Sequence, residues 1–181
     1  MHITLKTPRL TLRPIGPEDL KTTFAYAGCP ENARYMVYLP HASPEETLVF
    51  LRAAAQEWQK DAPLLDEFAV MLGTQHIGGV SLTLDDVRTE AELAWILHRD
   101  YWHKGYASEA AMALRDFGLH ELRLRRIFAT CDARNAASAR VMERIGMALE
   151  TEHGVRCNRC EPGVPAQELA YALYAANEWP Q

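Results

Sequence analysis

Residues 9–14 (RLTLRP) alternate apolar and polar side chains, the pattern of a strand with one face buried. Residues 67–72 (EFAVML) repeat it with Phe68, Val70 and Leu72 on one face, and residues 76–84 (HIGGVSLTL) follow with Val80, Leu82 and Leu84. Gly78 and Gly79 inside that run predict a bulge or the close approach of another backbone. In residues 89–97 (TEAELAWIL) the alternation puts Glu90, Glu92, Ala94 and Ile96 on one face and Ala91, Leu93, Trp95 and Leu97 on the other. The polar link 85–89 predicts an antiparallel hairpin between these two strands. From Lys104 the period changes, and Ala107, Ala110, Ala111, Leu114 and Phe117 fall on one face of a helix. Residues 126–132 (RIFATCD) return to a strand. Asn135 then opens a helix with Ala139, Met142 and Ile145 inward, and Gly146 ends it. Residues 147–152 (MALETE) and 167–175 (QELAYALYA) predict two last strands.

The first half also holds two helix starts. Pro17, Glu18 and Asp19 combine a preset φ with acids at the positive end of the helix dipole. Ser43, Pro44, Glu45 and Glu46 form a stronger start, opening a helix whose predicted apolar stripe is Leu48, Leu51, Ala55 and Trp58. The expected fold is one α/β (α+β) domain over residues 1–181. Its central mixed, mostly antiparallel sheet has six or seven strands flanked by helices, with strand–helix units in the second half.

Composition narrows the function classes. The 181 residues carry a formal net charge of -5, which argues against a general nucleic-acid binder. No run is apolar for long enough to span a bilayer, and the opening MHITLKTPRLTLRP lacks a signal-peptide core, so a cytoplasmic monomer or homodimer is expected. Four cysteines, at 29, 131, 157 and 160, are too sparse for a disulfide scaffold. Cys157 and Cys160 with His153 offer three zinc ligands where a structural site takes four, so no metal is expected.

The decisive stretch is residues 96–119 (ILHRDYWHKGYASEAAMALRDFGL), where a strand breaks at a glycine-containing turn and passes straight into a helix. First-turn amides point out of a helix N-terminus, and with the dipole they make an anion site. Gly105 and the small Ala107 allow close approach, while Lys104 and Arg99 add charge. The turn alone leaves a phosphate site and an ordinary capped connection equally open. No Gly-Lys-Ser/Thr follows it, and no dinucleotide fingerprint is present.

Three segments occur in a familiar order: TPRLTLRPIGPEDL (7–20), YWHKGYASEA (101–110) and NAASARVMERIGM (135–147). With them the chain resembles the GNAT family of acetyl-CoA-dependent N-acetyltransferases, in the branch that acetylates ribosomal-protein N-termini, from about residue 7 to Trp179. The resemblance implies that the fourth predicted strand splays from the fifth to form a cofactor cleft. It implies that the backbone of Trp95, Ile96 and Leu97 binds the pantetheine arm of acetyl-CoA. It implies, too, that the turn Trp102, His103, Lys104, Gly105, Tyr106, Ala107 and Ser108 gives amides to the pyrophosphate. Trp102 replaces a family Gln/Arg, and His103 stands where a second glycine is common. Asn135 and Ser138 match the family's N-x-x-S; Asn135 is also a plain N-cap by residue type.

Acetyl transfer needs a neutral amine, a donor for the tetrahedral oxyanion and a stabilised leaving thiolate. A backbone N–H around Ile96 or Leu97 is the expected oxyanion donor. Glu92 is the first candidate base, Glu90 the second, and Ser138 the expected donor to the thiolate, because Met142 occupies the place of a tyrosine used by some relatives. Asp85, Asp86, Glu90 and Glu92 form an acidic patch that suits a cationic acceptor. Tyr35, Met36, Tyr38 and the 154–166 loop are expected to line the acceptor pocket. The acceptor is then a small-molecule amine or a peptide N-terminus. The rival is a non-catalytic CoA-binding sensor or a zinc-containing interaction module on the same fold.

Overall fold

The computed structural model describes residues 3–176; Trp179, the end of the resemblance, lies outside them. One sheet of eight strands organises the chain, in the order β1-β2-β3-β4-β5-β6-β8-β7. The strands are β1 (Leu5–Lys6), β2 (Thr11–Pro14), β3 (Leu65–Leu72), β4 (Gln75–Leu84), β5 (Glu90–Leu97), β6 (Arg126–Asp132), β7 (Ala148–Cys157) and β8 (Pro165–Tyr174). Six or seven strands are expected from the sequence; the eighth is β1, whose two residues are too short for a period to register. The helices are α1 (Leu20–Ala27), after a 3-10 turn at Pro17–Asp19, α2 (Pro44–Glu57), α3 (Tyr106–His120) and α4 (Ala136–Arg144).

Neighbouring strands pair antiparallel except β5 and β6, which are parallel because α3 carries the chain back across the sheet between them. The β4–β5 hairpin closes on Asp85, whose carboxylate accepts the Thr89 and Glu90 amides at 2.6 and 2.8 Å. The glycine pair in β4 has both predicted consequences. The β3–β4 register slips between Val70 and Met71, leaving Ile77 as the extra residue, and a Cβ at Gly78 would lie 2.2 Å from the Ile96 carbonyl oxygen.

The main core lies between the sheet and α3, with Leu82, Leu93, Leu114 and Ile127 fully buried. Truncating Leu114 to Ala there costs about 2–5 kcal/mol. On the other face, Ile15, Leu51, Ala54 and Ala69 form a smaller cluster under α2. The α2 stripe therefore differs from the expected one. Thr47, Leu51, Ala54 and Trp58 face inward, with Leu48 and Ala55 at its margins: the helix buries the small Thr47 and Ala54 against the sheet, and Trp58 meets Phe68 edge to face. Ser43 caps it, accepting the Glu46 amide at 3.3 Å. No helix among the described residues is long and apolar enough to cross a membrane.

Candidate active site

The parallel β5–β6 pairing covers only Glu90–Arg126, Ala91–Ile127 and Glu92–Phe128. Beyond Glu92 the two strands part, and β5 continues to Leu97 with β4 on one side and an open cleft on the other. The register decides which backbone groups face that cleft. His98 N donates to Ile77 O and Asp85 N to Glu90 O, so the even-numbered residues of β5 spend their amides and carbonyls on β4. Leu93, Trp95 and Leu97 turn theirs toward the cleft. Ile96 is thus committed to Gly79, which removes its amide from the candidate oxyanion donors and leaves those of Leu97 and Trp95.

A cavity of about 540 Å³ occupies the parting. Its walls come from β5 (Trp95, Ile96, Leu97), the turn and first residues of α3, the α1–α2 connection (Asn32, Arg34, Tyr35, Met36) and α4 (Asn135, Ser138, Arg140, Arg144). It therefore joins the α3–α4 face of the sheet to the α1–α2 face.

At one end stands the N-terminus of α3. Gly105 is its N-cap with φ 81°, a left-handed conformation that a Cβ disfavours, and no side chain caps the helix there. The amides of Tyr106, Ala107 and Ser108 have no intrahelical acceptor by helix geometry. His103, the departure from the family glycine, accommodates the turn by itself adopting φ 61°. The turn is braced by a residue that sequence reasoning missed. Arg9 donates to Lys104 O at 3.0 Å and to Glu109 at 2.6 Å, and lies over the Tyr106 ring. The expected extra charges are spent elsewhere: Arg99 pairs with Glu31 at 2.5 Å, and Lys104 folds back on Asp100 O at 2.8 Å.

Asn135 caps α4 as its residue type predicts, and the geometry adds a reciprocal bond. Its Oδ1 accepts the Ser138 amide at 3.2 Å, and its Nδ2 donates to Ser138 Oγ at 3.1 Å. That fills one acceptor position of the hydroxyl, and its hydrogen has no acceptor among the described residues.

Glu92 sits at the apex of the parting, on the sheet face opposite the Leu93–α3 core, and does not line the cavity wall. Thr130 Oγ1 donates to it at 3.3 Å. Burial pushes its carboxyl above the usual range, helped by Glu168; the Thr130 bond and the Arg156 charge hold it partly down. Arg156, also missed, is nearly buried. It donates to Glu168 at 3.3 Å, to Asn158 at 3.2 Å and to the Tyr35 carbonyl at 3.1 Å, tying β7 to the α1–α2 connection beside Glu92.

Other expected residues are not brought together. Glu90 pairs with Arg126 at 2.7 Å, which also pairs with Glu150, so it is held at the far end of β5. With Asp85 closing a turn, the acidic patch is dispersed into separate local contacts. Tyr35 lines the cavity, whereas the Tyr38 ring is 83% exposed and only its carbonyl is held, by Arg159 at 3.0 Å. Cys160 packs on the Pro30 and Ala33 carbonyls, and among the described residues no group of three or more His, Cys, Asp or Glu is placed to hold a metal.

The family described as "Acetyltransferase (GNAT) domain" matches residues 9–148. The uncharacterized N-acetyltransferase YnaD of Bacillus subtilis (strain 168) is 32% identical over 154 residues, covering 83% of this chain and 84% of its own. A GNAT-family acetyltransferase of Bacillus anthracis is similar in structure at a TM-score of 0.79 and 27% identity, over 95% of this chain and 98% of its own. RimL, the ribosomal L7/L12 α-N-protein acetyltransferase solved with coenzyme A, superposes at a TM-score of 0.83 over 96% and 98% of the two chains; at 16% identity it speaks for the fold alone.

Proposed function

The chain belongs to the GNAT family of acetyltransferases and is an acetyl-CoA-dependent N-acetyltransferase; from that premise we propose how its residues divide the reaction. The observation that carries the proposal is the parting of β5 from β6 immediately after Glu92, with the uncapped N-terminus of α3 bordering the same cavity.

The pantetheine arm carries amides, so it adds along the open side of β5 as a partial strand, against the backbone of Leu93, Trp95 and Leu97. The pyrophosphate takes the first-turn amides of α3. The acyl group then points to the apex of the parting. The amine arrives from the α1–α2 face, past Tyr35. Glu92 removes a proton from it, directly or through one water, and burial supports this by raising the carboxyl's basicity. The neutral nitrogen attacks the thioester carbon; the oxyanion is met by the amide of Leu97 or Trp95. As the C–N bond forms and the C–S bond breaks, the sulfur leaves with the bonding electron pair, met by a hydrogen bond from Ser138 Oγ, and takes the second proton that the acylated nitrogen sheds, so that the products are the amide and the coenzyme A thiol. No covalent enzyme intermediate is involved.

The acceptor is a primary amine, either a peptide N-terminus or a small molecule. Arg156 near the end of β7 and Arg159 in the segment that follows it both anchor the α1–α2 connection, so the acceptor wall is one braced unit. The test is thiol release from acetyl-CoA across a panel of N-terminal peptides and small amines. Turnover with a member of either class, lost in Glu92→Gln, supports the reading; turnover unaffected by that substitution overturns the role of Glu92.

A further inference from the structure

Three buried side-chain atoms among the described residues have no hydrogen-bond partner: Thr23 Oγ1, Asp66 Oδ2 and Asn32 Oδ1. Of these residues only Asn32 lines the cavity between β5 and β6, on the α1–α2 side from which the amine arrives. The orientation of its amide is fixed. Nδ2 donates to the Leu97 carbonyl at 2.6 Å, and that oxygen can only accept, so the amide cannot be turned over to exchange Nδ2 and Oδ1. The bond lengths of the amide then keep Oδ1 within about 5 Å of the Leu97 oxygen, beside the open side of β5. A buried acceptor left unpaired is a cost to the fold, and a ligand N–H removes it.

The acceptor chemistry above, on which this rests, supplies that N–H. A primary amine enters as an ammonium with three hydrogens. Glu92 takes the first, and the second goes to the departing sulfur once the C–N bond has formed. The third stays on nitrogen as the N–H of the amide product. We propose that Asn32 Oδ1 accepts a hydrogen bond from this retained hydrogen, and that it thereby makes the enzyme select primary amines over secondary ones. With the amine's substituent led in past Tyr35 and this hydrogen held on Oδ1, the nitrogen lone pair is left to face the thioester carbon. A secondary amine has no third hydrogen. Its extra carbon meets Oδ1 instead, and the oxygen stays buried and unpaired through the reaction. A site built around a substrate N–H rejects such an analogue strongly for that reason.

The test is kcat/KM, by thiol release, for an acceptor that turns over (an alanyl peptide or benzylamine) and for its N-methyl counterpart. The parent favours the primary amine by about 10- to 100-fold, as one unmade buried hydrogen bond predicts. Asn32→Leu keeps the size of the side chain and removes the acceptor, so the preference falls to within about threefold, through loss on the primary amine. Asn32→Ala also removes bulk, and there the N-methyl acceptor gains. Loss of the tether to Leu97 affects both acceptors alike and cancels in the ratio, which therefore reads Oδ1 and not the fold. A preference kept in both variants, or equal or complete loss of both acceptors, overturns the role of Asn32. Weaker acetyl-CoA binding in the variants gives Oδ1 to the cosubstrate and overturns it as well. A parent that turns over primary and N-methyl amines alike removes this inference and leaves the acceptor reading standing; no turnover with any primary amine overturns that reading itself.

Discussion

Asn32, in the α1–α2 connection, donates its side-chain amide to the carbonyl of Leu97 at 2.6 Å and leaves its own Oδ1 buried without a partner. Trp102 Nε1 donates to the same oxygen at 2.9 Å, so both lone pairs of the Leu97 carbonyl are filled by side chains. An arm that adds to β5 competes for that oxygen, and the orphaned Oδ1 makes Asn32 the weaker-held of the two donors. Asn32→Ala is therefore expected to bind acetyl-CoA as tightly as the parent or up to about tenfold tighter, while the KM of the amine rises because the connection bearing Tyr35 loses its tether. Weaker acetyl-CoA binding in this variant would show that the contact serves the cosubstrate instead.

For the base, Glu92→Gln keeps size and hydrogen bonding and removes basicity. Turnover is expected to drop by about 10²- to 10⁴-fold with acetyl-CoA affinity retained. Because burial raises the Glu92 carboxyl, kcat/KM of the parent falls as pH drops through that raised value, and the variant loses this acidic limb. A pH–rate profile with the same limb in both proteins assigns the proton transfer to another group.

Ser138→Ala separates a transition-state contact from a structural one. Loss of the donor to the thiolate lowers kcat by about 10- to 100-fold, with the acetyl-CoA dissociation constant within roughly a few fold. Stability changes little, since the Asn135 Oδ1 bond to the residue 138 amide persists. Single-turnover kinetics at saturating acetyl-CoA distinguishes this outcome from slow product release; weaker binding with unchanged kcat would make Ser138 a contact to the bound arm.

At the phosphate end, Gly105→Ala strains a left-handed N-cap, by roughly 1–2 kcal/mol. The turn relieves that strain by moving its amides off the anion, so acetyl-CoA affinity falls at least about tenfold. Lys104→Ala costs little, because its ammonium is held on Asp100 O outside the first turn. Equal titration curves for parent and Gly105→Ala would remove the turn from the binding site.

Glu67 on β3, beside Ser81, has its carboxyl pushed up by burial to about 7 from a usual 4.5. The unfolded chain releases this proton first, so between those two values the folded state holds more protons and stability falls as pH rises. Above about 7 the deficit is complete, at up to roughly 3 kcal/mol. Glu67→Gln removes the ionisation. Urea unfolding should find the variant more stable than the parent at pH 8 and nearly equal to it at pH 4; parallel pH dependences would place the cost elsewhere.

Period and punctuation along the chain determined much of this protein. The alternation in 89–97, the change to helical spacing after Lys104, Ser43 and Asn135 as caps, and Gly105 before a helix are local signals. Each records which face of one element is buried or how one turn is made. The pairing of distant segments was decided by tertiary structure. Only the β5–β6 register shows that Glu92 stands at the apex, that Glu90 belongs to Arg126, and that Ile96 spends its amide on Gly79 while Leu97 does not. Asn32 meets Leu97 across 65 residues, and Arg9 meets Glu109 across 100. Such contacts depend on how the sheet closes and where its strands part. A one-residue slip would send every side chain of a strand to the other face and every amide to the other neighbour, and nothing in a strand's own period specifies its partner's register.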